Sequence, residues 1–233
     1  LTDRDRQMPL DLPASPSLSR DDLIVTDANR AVATLIERWP DWQAPVAVIV
    51  GPPGSGKTHV ATVWRAIADA HALADPLAPA AVDLDAAQSG RPILADGLSP
   101  EKLDETALFH LINAVRGAGG TMLATAATNP SAWPLRTADL RSRLRASMVA
   151  ELGQPDDALL QAVAVKLFAD RQVSVDPAVV AYLLPRLERS LPALAAIVDR
   201  LDRAALARKT SITRPLAAEI LRAIEDEQSR LAF

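Results

Sequence analysis

The segment Val46-Ala-Val-Ile-Val50-Gly51-Pro52-Pro53-Gly54-Ser55-Gly56-Lys57-Thr58-His59 constrains this chain more than any other. Five consecutive apolar residues, mostly β-branched and without alternation, suit a parallel strand covered on both faces. That strand runs straight into Gly-x-x-x-x-Gly-Lys-Thr, the P-loop pattern, and Lys57 to about Ala72 has helical spacing, so the motif sits between a strand and a helix as its chemistry demands. The glycines let backbone N–H groups converge on phosphate oxygens, Lys57 neutralises the β and γ phosphates, and the Thr58 hydroxyl is a magnesium ligand at a helix N-terminus. With glycine near 7% of average composition, the four fixed positions arise by chance in a chain this long about one time in a hundred. The expectation is a bound purine nucleoside di- or triphosphate with Mg.

A P-loop site needs a further carboxylate at the end of another strand to hold the metal through water. Asp96, closing Pro92-Ile-Leu-Ala-Asp96, is the candidate. The position beside it, where vigorous hydrolases carry a second acid, is Gly97. Weak intrinsic hydrolysis is therefore expected. Glu101, Asp104 and Glu105 are nearby acids, but they open a helix, where capping and dipole roles are the ordinary ones.

Spacing outlines the rest of the chain. Residues 1–18 carry prolines at 9, 13 and 16 among alternating charges, which predicts a flexible arm. Ser19-Arg-Asp-Asp22 has the form of a helix start. A helix is expected over Asn29–Trp39, stopped by Pro40. Further strands are expected at Ala80–Leu84, Ile93–Asp96, Thr121–Thr125 and Met148–Leu152. Between them lie a helix with Leu103, Leu108, Leu111, Ile112 and Val115 on one face and a short basic helix over Ala138–Leu144. Strands alternating with helices imply an α/β fold, a doubly wound five-stranded parallel sheet over 19–153. After Gly153, four helical stretches (156–170, 177–187, 191–207 and 215–231) follow with no strand between them. Residues 154–233 are thus expected to form a small all-helical lid.

Composition narrows the function. There is no cysteine among the 233 residues, which removes disulfides, thiolate metal sites and cysteine nucleophiles, and the three histidines are not at ligand spacing. No apolar run approaches the roughly 20 residues that span a bilayer, so no membrane association is expected and a cytoplasmic location fits. A net charge of −4 is the wrong balance for independent duplex binding.

On these residues the chain resembles the Hda family of DnaA-like AAA+ regulators, in its alphaproteobacterial form, over nearly its full length. Leu23-Ile24-Val25-Thr-Asp-Ala-Asn29 is similar to the family's adenine-wrapping stretch, and Gly51–His59 matches its Gly-Lys-Thr-His loop. Asp139-Leu-Arg-Ser-Arg143-Leu resembles the box that carries the arginine finger, which implies that role for Arg143. Glu188-Arg189-Ser190-Leu191 resembles the sensor II segment, which implies phosphate sensing by Arg189. In the arm, Gln7-Met8-Pro-Leu10-Asp-Leu12 is similar to the family's sliding-clamp-binding peptide. An extended, proline-stiffened segment loses little entropy on docking, while a glutamine amide and two leucines supply direction and apolar anchors.

The resemblance implies an adenine nucleotide, ADP in first place, and two protein partners: DnaA and the clamp. DNA would be contacted only through the clamp, and a homo-oligomer is compatible. The chain's expected part is to supply Arg143 in trans and so stimulate hydrolysis of DnaA-bound ATP. The alternatives are a DnaA-related ATPase or loader acting at the origin, and a P-loop kinase for a small metabolite. Against the first, no recognition helix is expected after the lid. Against the second, an all-helical addition is not an acceptor pocket. Three departures from the family pattern bear on hydrolysis rather than binding. Gly97 replaces the second acid, Ala127 stands where a polar sensor I residue is usual, and Pro192 sits early in the sensor II helix. Thr125, Thr128 and Asn129 are the candidates for the sensor I part.

Overall fold

A computed structural model describes residues 23–231. The arm, the helix start at 19–22 and the clamp-binding residues Gln7, Met8, Leu10 and Leu12 lie outside the described residues.

Five parallel strands form one sheet: β1 (Val46–Val50), β2 (His71–Ala72), β3 (Ile93–Leu98), β4 (Met122–Ala126) and β5 (Met148–Glu151), in the order β2-β3-β4-β1-β5. The central strands β1 and β4 are buried at every residue. Alternation divides their side chains between two cores, because successive residues point to opposite faces. Val46, Val48, Val50, Met122 and Ala124 pack under three helices: α3 (Ala81–Gln88), α4 (Glu105–Gly117) and α5 (Ala138–Arg145). Ala47, Ile49 and Leu123 pack under α1 (Arg30–Glu37) and α2 (Lys57–Ala68) on the other face.

Two expectations are corrected on the β2 side of the sheet. Ala80–Leu84 is no strand; it opens α3. Three of the five residues are alanine or leucine, strong helix formers, and Asp83 reaches back to accept the Ala80 N–H at 2.7 Å, satisfying an end group that a strand would not present. The missing strand lies inside what reads as the end of the P-loop helix. That helix stops at Ala68, Asp69 turns left-handed with φ 46°, and His71–Ala72 pairs with Ile93–Leu94. A single hydrogen bond ties the two surprises together, since His71 Nε2 meets Asp83 Oδ1 at 2.7 Å.

The remaining described helices are α6 (Asp157–Asp170), α7 (Pro177–Leu183), α8 (Leu191–Arg208) and α9 (Arg214–Leu231). They bury their own aliphatic cluster, centred on Leu160, Phe168, Leu183, Ile197, Leu201 and Ala217. Asp156, Asp176 and Ser190 cap α6, α7 and α8 by accepting N–H bonds from Leu159, Ala178 and Ala193.

Candidate nucleotide-binding site

The P-loop leaves the C-terminal end of β1, the usual place for a ligand in such sheets. Gly51 N–H donates to Ala126 O and Leu152 N–H to Val50 O, so the loop's root is pinned between β4 and the end of β5. A Cβ at Gly51 would collide with the Leu152 carbonyl oxygen. Gly54 and Gly56 have φ of 76° and 100°, in the left-handed region that side chains rarely adopt. Gly56 precedes α2 and offers no side chain to cap it, which leaves the first-turn N–H groups free to serve an anion.

Lys57 Nζ donates to the carbonyls of Gly51 and Pro52, each at 2.7 Å, and so lies across the mouth of the loop. Burial holds its ammonium below the usual lysine range, and the charge of Asp96 opposes that shift in part. Ser55 Oγ is buried without a hydrogen-bond partner among the described residues. Converging N–H groups, glycines that a Cβ would spoil, a desolvated ammonium and an orphaned hydroxyl together fit a polyphosphate.

Asp96 stands near the end of β3. Thr125, 1% exposed on the adjacent β4, donates its hydroxyl to Asp96 Oδ1 at 2.5 Å and accepts from Gly97 N at 2.8 Å. Of the three sensor I candidates, Thr125 is therefore the one that meets the Asp96 carboxylate. Thr128 instead accepts from Trp133 Nε1 at 3.0 Å, and Asn129 accepts from Ser131 N at 3.0 Å. Gly97 lies within β3, at the register irregularity between Ala95 and Leu98, with φ 93° and open space around it, so no side chain stands at the position of the second acid. The other nearby acids are engaged elsewhere: Glu101 with Ser99, Asp104 as the cap of α4, and Glu105 with the backbone before α5. Among the described residues no three metal-ligating side chains converge. Thr58 stands in the first turn of α2 beside the loop, and Asp96 lies near enough to Lys57 for their charges to interact.

Beside the loop is a cavity of about 380 Å³, within the range of small-ligand pockets. Gly54–His59 wall one end, and Leu23, Ile24 and Leu152 another. Leu159, Val163 and Leu167 of α6 give it an apolar wall suited to a flat base, with Lys166 and Asp170 as polar groups on the same helix. Val25 does not line the cavity and is 46% exposed. Asn29, which the sequence reading did not single out as a site residue, is 4% exposed. Its Oδ1 accepts from Thr26 N and its Nδ2 donates to Ile24 O, folding the 23–29 stretch into a wall. Lys166 and Asp170 were also missed; their i, i+4 spacing looks like an ordinary surface pair, and only the fold turns them toward this cavity.

The lid touches the loop directly. Leu191 N–H donates to Gly54 O at 3.1 Å, and Cβ atoms at Gly54 and Gly56 would come within 2.7 Å of Ser190 Cβ and 2.8 Å of Leu191 Cδ1. Leu191 and Pro192, at the start of α8, line the cavity, so the early proline occupies the first turn, where its missing N–H is harmless. Arg189 does not line it; its guanidinium donates to Asp157 at 2.8 Å at the start of α6.

Arg143 is far from this site. It lines a separate cavity of about 350 Å³ with Gln43, Val46, Arg116 and Ser147, at the N-terminal end of β1. The P-loop follows the C-terminal end of that strand.

Comparison with known proteins agrees with this architecture. Residues 156–221 match the family model described as "Hda, lid domain". The crystal structure of domain III of the replication initiation protein DnaA from Thermotoga maritima superimposes with a TM-score of 0.72 at 17% identity, covering 89% of this chain and 97% of that one. AMPPCP-bound DnaA from Aquifex aeolicus gives 0.65 at 16% identity, over 81% of this chain and 66% of that one. A variant of RuvB from Thermotoga maritima gives 0.68 at 17% identity, over 88% and 72%. At such identities these likenesses establish the fold, and the lid match adds the type of its helical part.

Proposed function

We propose that this chain, with the fold of DnaA domain III and an Hda-type match over residues 156–221, is a DnaA-like AAA+ regulator of replication initiation that acts on ATP held by DnaA. In this reading it binds an adenine nucleotide, ADP in first place, in the cavity between the P-loop and α6. It docks on the DNA-loaded sliding clamp through Gln7, Met8, Leu10 and Leu12 and presents Arg143 to the partner's nucleotide. The AMPPCP held by the Aquifex DnaA supports the choice of base.

The observation that carries the reading is the separation of Arg143 from its own P-loop. They lie at opposite ends of the five-residue strand β1, which spans about 13–16 Å at roughly 3.3 Å per residue. The opposite edge of the domain is where an arginine serving a neighbour's phosphate belongs. A guanidinium there stabilises charge on the phosphoryl group in the transition state, an effect commonly worth about 10³–10⁵ in rate.

Chemistry in the chain's own site is differently equipped. Lys57 and the loop N–H groups hold phosphate, and Thr125 orients Asp96. A magnesium ion there would neutralise β and γ oxygens. With Gly97 in place of a second acid, no side chain beside Asp96 polarises an attacking water. The site is thus suited to holding a nucleotide rather than consuming it. Arg143→Ala should leave nucleotide and clamp binding intact and abolish stimulation of DnaA-bound ATP hydrolysis, measured as phosphate release with clamp-loaded DNA. Full stimulation by that variant would end the proposal.

A further inference from the structure

We propose that Arg116 is a second phosphate-binding arginine, acting with Arg143, and that the cavity they share receives the terminal phosphate of a nucleotide held by another protein. The inference rests on the reading of Arg143 just given and extends it to Arg116.

Arg116 sits in the last turn of α4 and Arg143 in the last turn of α5. The two helices pack side by side, and both arginines line one cavity of about 350 Å³ together with Val46 and Ile112. A water's share of liquid volume is about 30 Å³, so a phosphate group and its nearest waters fit. Gln43 and Ser142 add neutral donors at the rim. No carboxylate lines the cavity.

Acids outnumber bases 29 to 25, and some arginines pair with them, as Arg30 does with Asp27, Arg189 with Asp157 and Arg208 with Glu219, yet none lines this cavity. Among the described residues neither the Arg116 nor the Arg143 side chain has a hydrogen-bond or ion-pair partner. Two guanidinium charges on one cavity without an internal anion repel one another, a cost that an external anion removes. Phosphate is favoured over a lone carboxylate because two forks present more donors than two oxygens accept, whereas a terminal phosphate offers three.

A simpler account is that each arginine only complements the dipole at its helix C-terminus. That role needs a positive charge and not a fork, so lysine would serve equally. Arg116→Lys separates the two.

The test is phosphate release from DnaA-bound ATP by the full chain on clamp-loaded DNA, with the wild type, R143A, R116A and R116K compared at varied concentrations. We expect R116A to lower the maximal rate about a hundredfold, as losing one transition-state donor does elsewhere. R116K should also fall below the wild type, while the concentration for half-maximal stimulation, the thermal midpoint and nucleotide affinity stay unchanged. R116K at the wild-type rate overturns the second arginine and leaves only the dipole role. R143A at the wild-type rate overturns the trans-acting reading itself, so the two failures are distinguishable.

Discussion

A methyl group added at position 54 meets two separate obstacles. The φ of 76° belongs to the left-handed region, where an L side chain costs about 1–2 kcal/mol. The new Cβ would also stand 2.7 Å from Ser190 Cβ, which belongs to the lid. Gly119, in the turn after α4, supplies the control, since its φ is 66° but nothing lies within 4 Å of its missing Cβ. Gly119→Ala should therefore lose about 1–2 kcal/mol of stability through backbone strain alone and bind nucleotide as the wild type does. Gly54→Ala should lose at least as much and also weaken nucleotide binding several-fold, because the lid must move off the loop. Denaturant titration paired with calorimetric nucleotide binding checks both, and equal nucleotide affinity in the two variants would show that Ser190 yields freely. Legibility at this scale follows the same division. Gly51, Gly54, Gly56, Lys57 and Thr58 could be read in advance because their chemistry is local and their spacing fixed. Asn29, Lys166 and Asp170 could not, because a buried asparagine and a surface-like lysine pair gain meaning only when distant segments meet.

Among elements, α5 is held in an unusual way. Its N-cap residue Thr137 makes no side-chain cap. Instead Glu105, the first residue of α4, accepts Arg136 N at 3.0 Å on one oxygen and Thr137 N at 2.7 Å on the other. These two backbone donors, Arg136 first, hold the Glu105 carboxyl below the usual carboxylate range. The helix carrying Arg143 is thereby fastened to the segment that follows Asp96. Because the folded-state pKa is depressed, the clasp contributes fully above the ordinary glutamate value of about 4.3 and is lost only as pH falls through the lowered one. Glu105→Ala should speed hydrogen exchange at the Arg136 and Thr137 amides by about tenfold or more while the α5 interior and the overall midpoint change little, since the clasp is partly exposed and such bonds are modest. Unchanged exchange at those two amides would mean that water serves them as well as the carboxylate. Elements were legible in the sequence wherever period and breakers agreed, as in β1, β3, β4, β5 and the four lid helices. They were not at β2 and α3. A two-residue edge strand carries no pattern of its own, and Ala80–Leu84 is apolar enough for either period until Asp83 finds both Ala80 N–H and His71.

At the scale of the whole molecule, the cores on the sheet and the lid's own core meet at one clasp. The sheet's core and the lid's aliphatic cluster share no buried residue, and the chain crosses between them once, at Leu152–Asp156. Besides that crossing, the start of α8 rests on the P-loop, with Leu191 N–H on Gly54 O and the Leu191 side chain over Gly56. This arrangement was only half legible. The change from alternating strands and helices to helices alone announces a lid, but nothing in Ser190-Leu191-Pro192 as a string says that it rests on glycines 136 residues earlier. The cavity lies between the cores, lined from one side by Gly54–His59 and from the other by Leu159, Val163, Leu167 and Leu191. A ligand that fills it touches both, so nucleotide binding should raise the stability of both cores together, by about 2.7 kcal/mol at a hundred times the dissociation constant. Scanning calorimetry of the wild-type chain with ADP and magnesium should then show one transition that moves up as nucleotide is added. Leu191→Ala removes the side chain that covers Gly56 and leaves the backbone bond. In that variant the sheet's core should still gain stability from nucleotide, because Lys57 and the loop are intact, while the lid should unfold at a lower temperature that depends less on nucleotide. One shared transition in Leu191→Ala, shifted by nucleotide as far as in the wild type, would show that the crossing at 152–156 alone couples the two cores and that the contact of α8 with the P-loop is incidental.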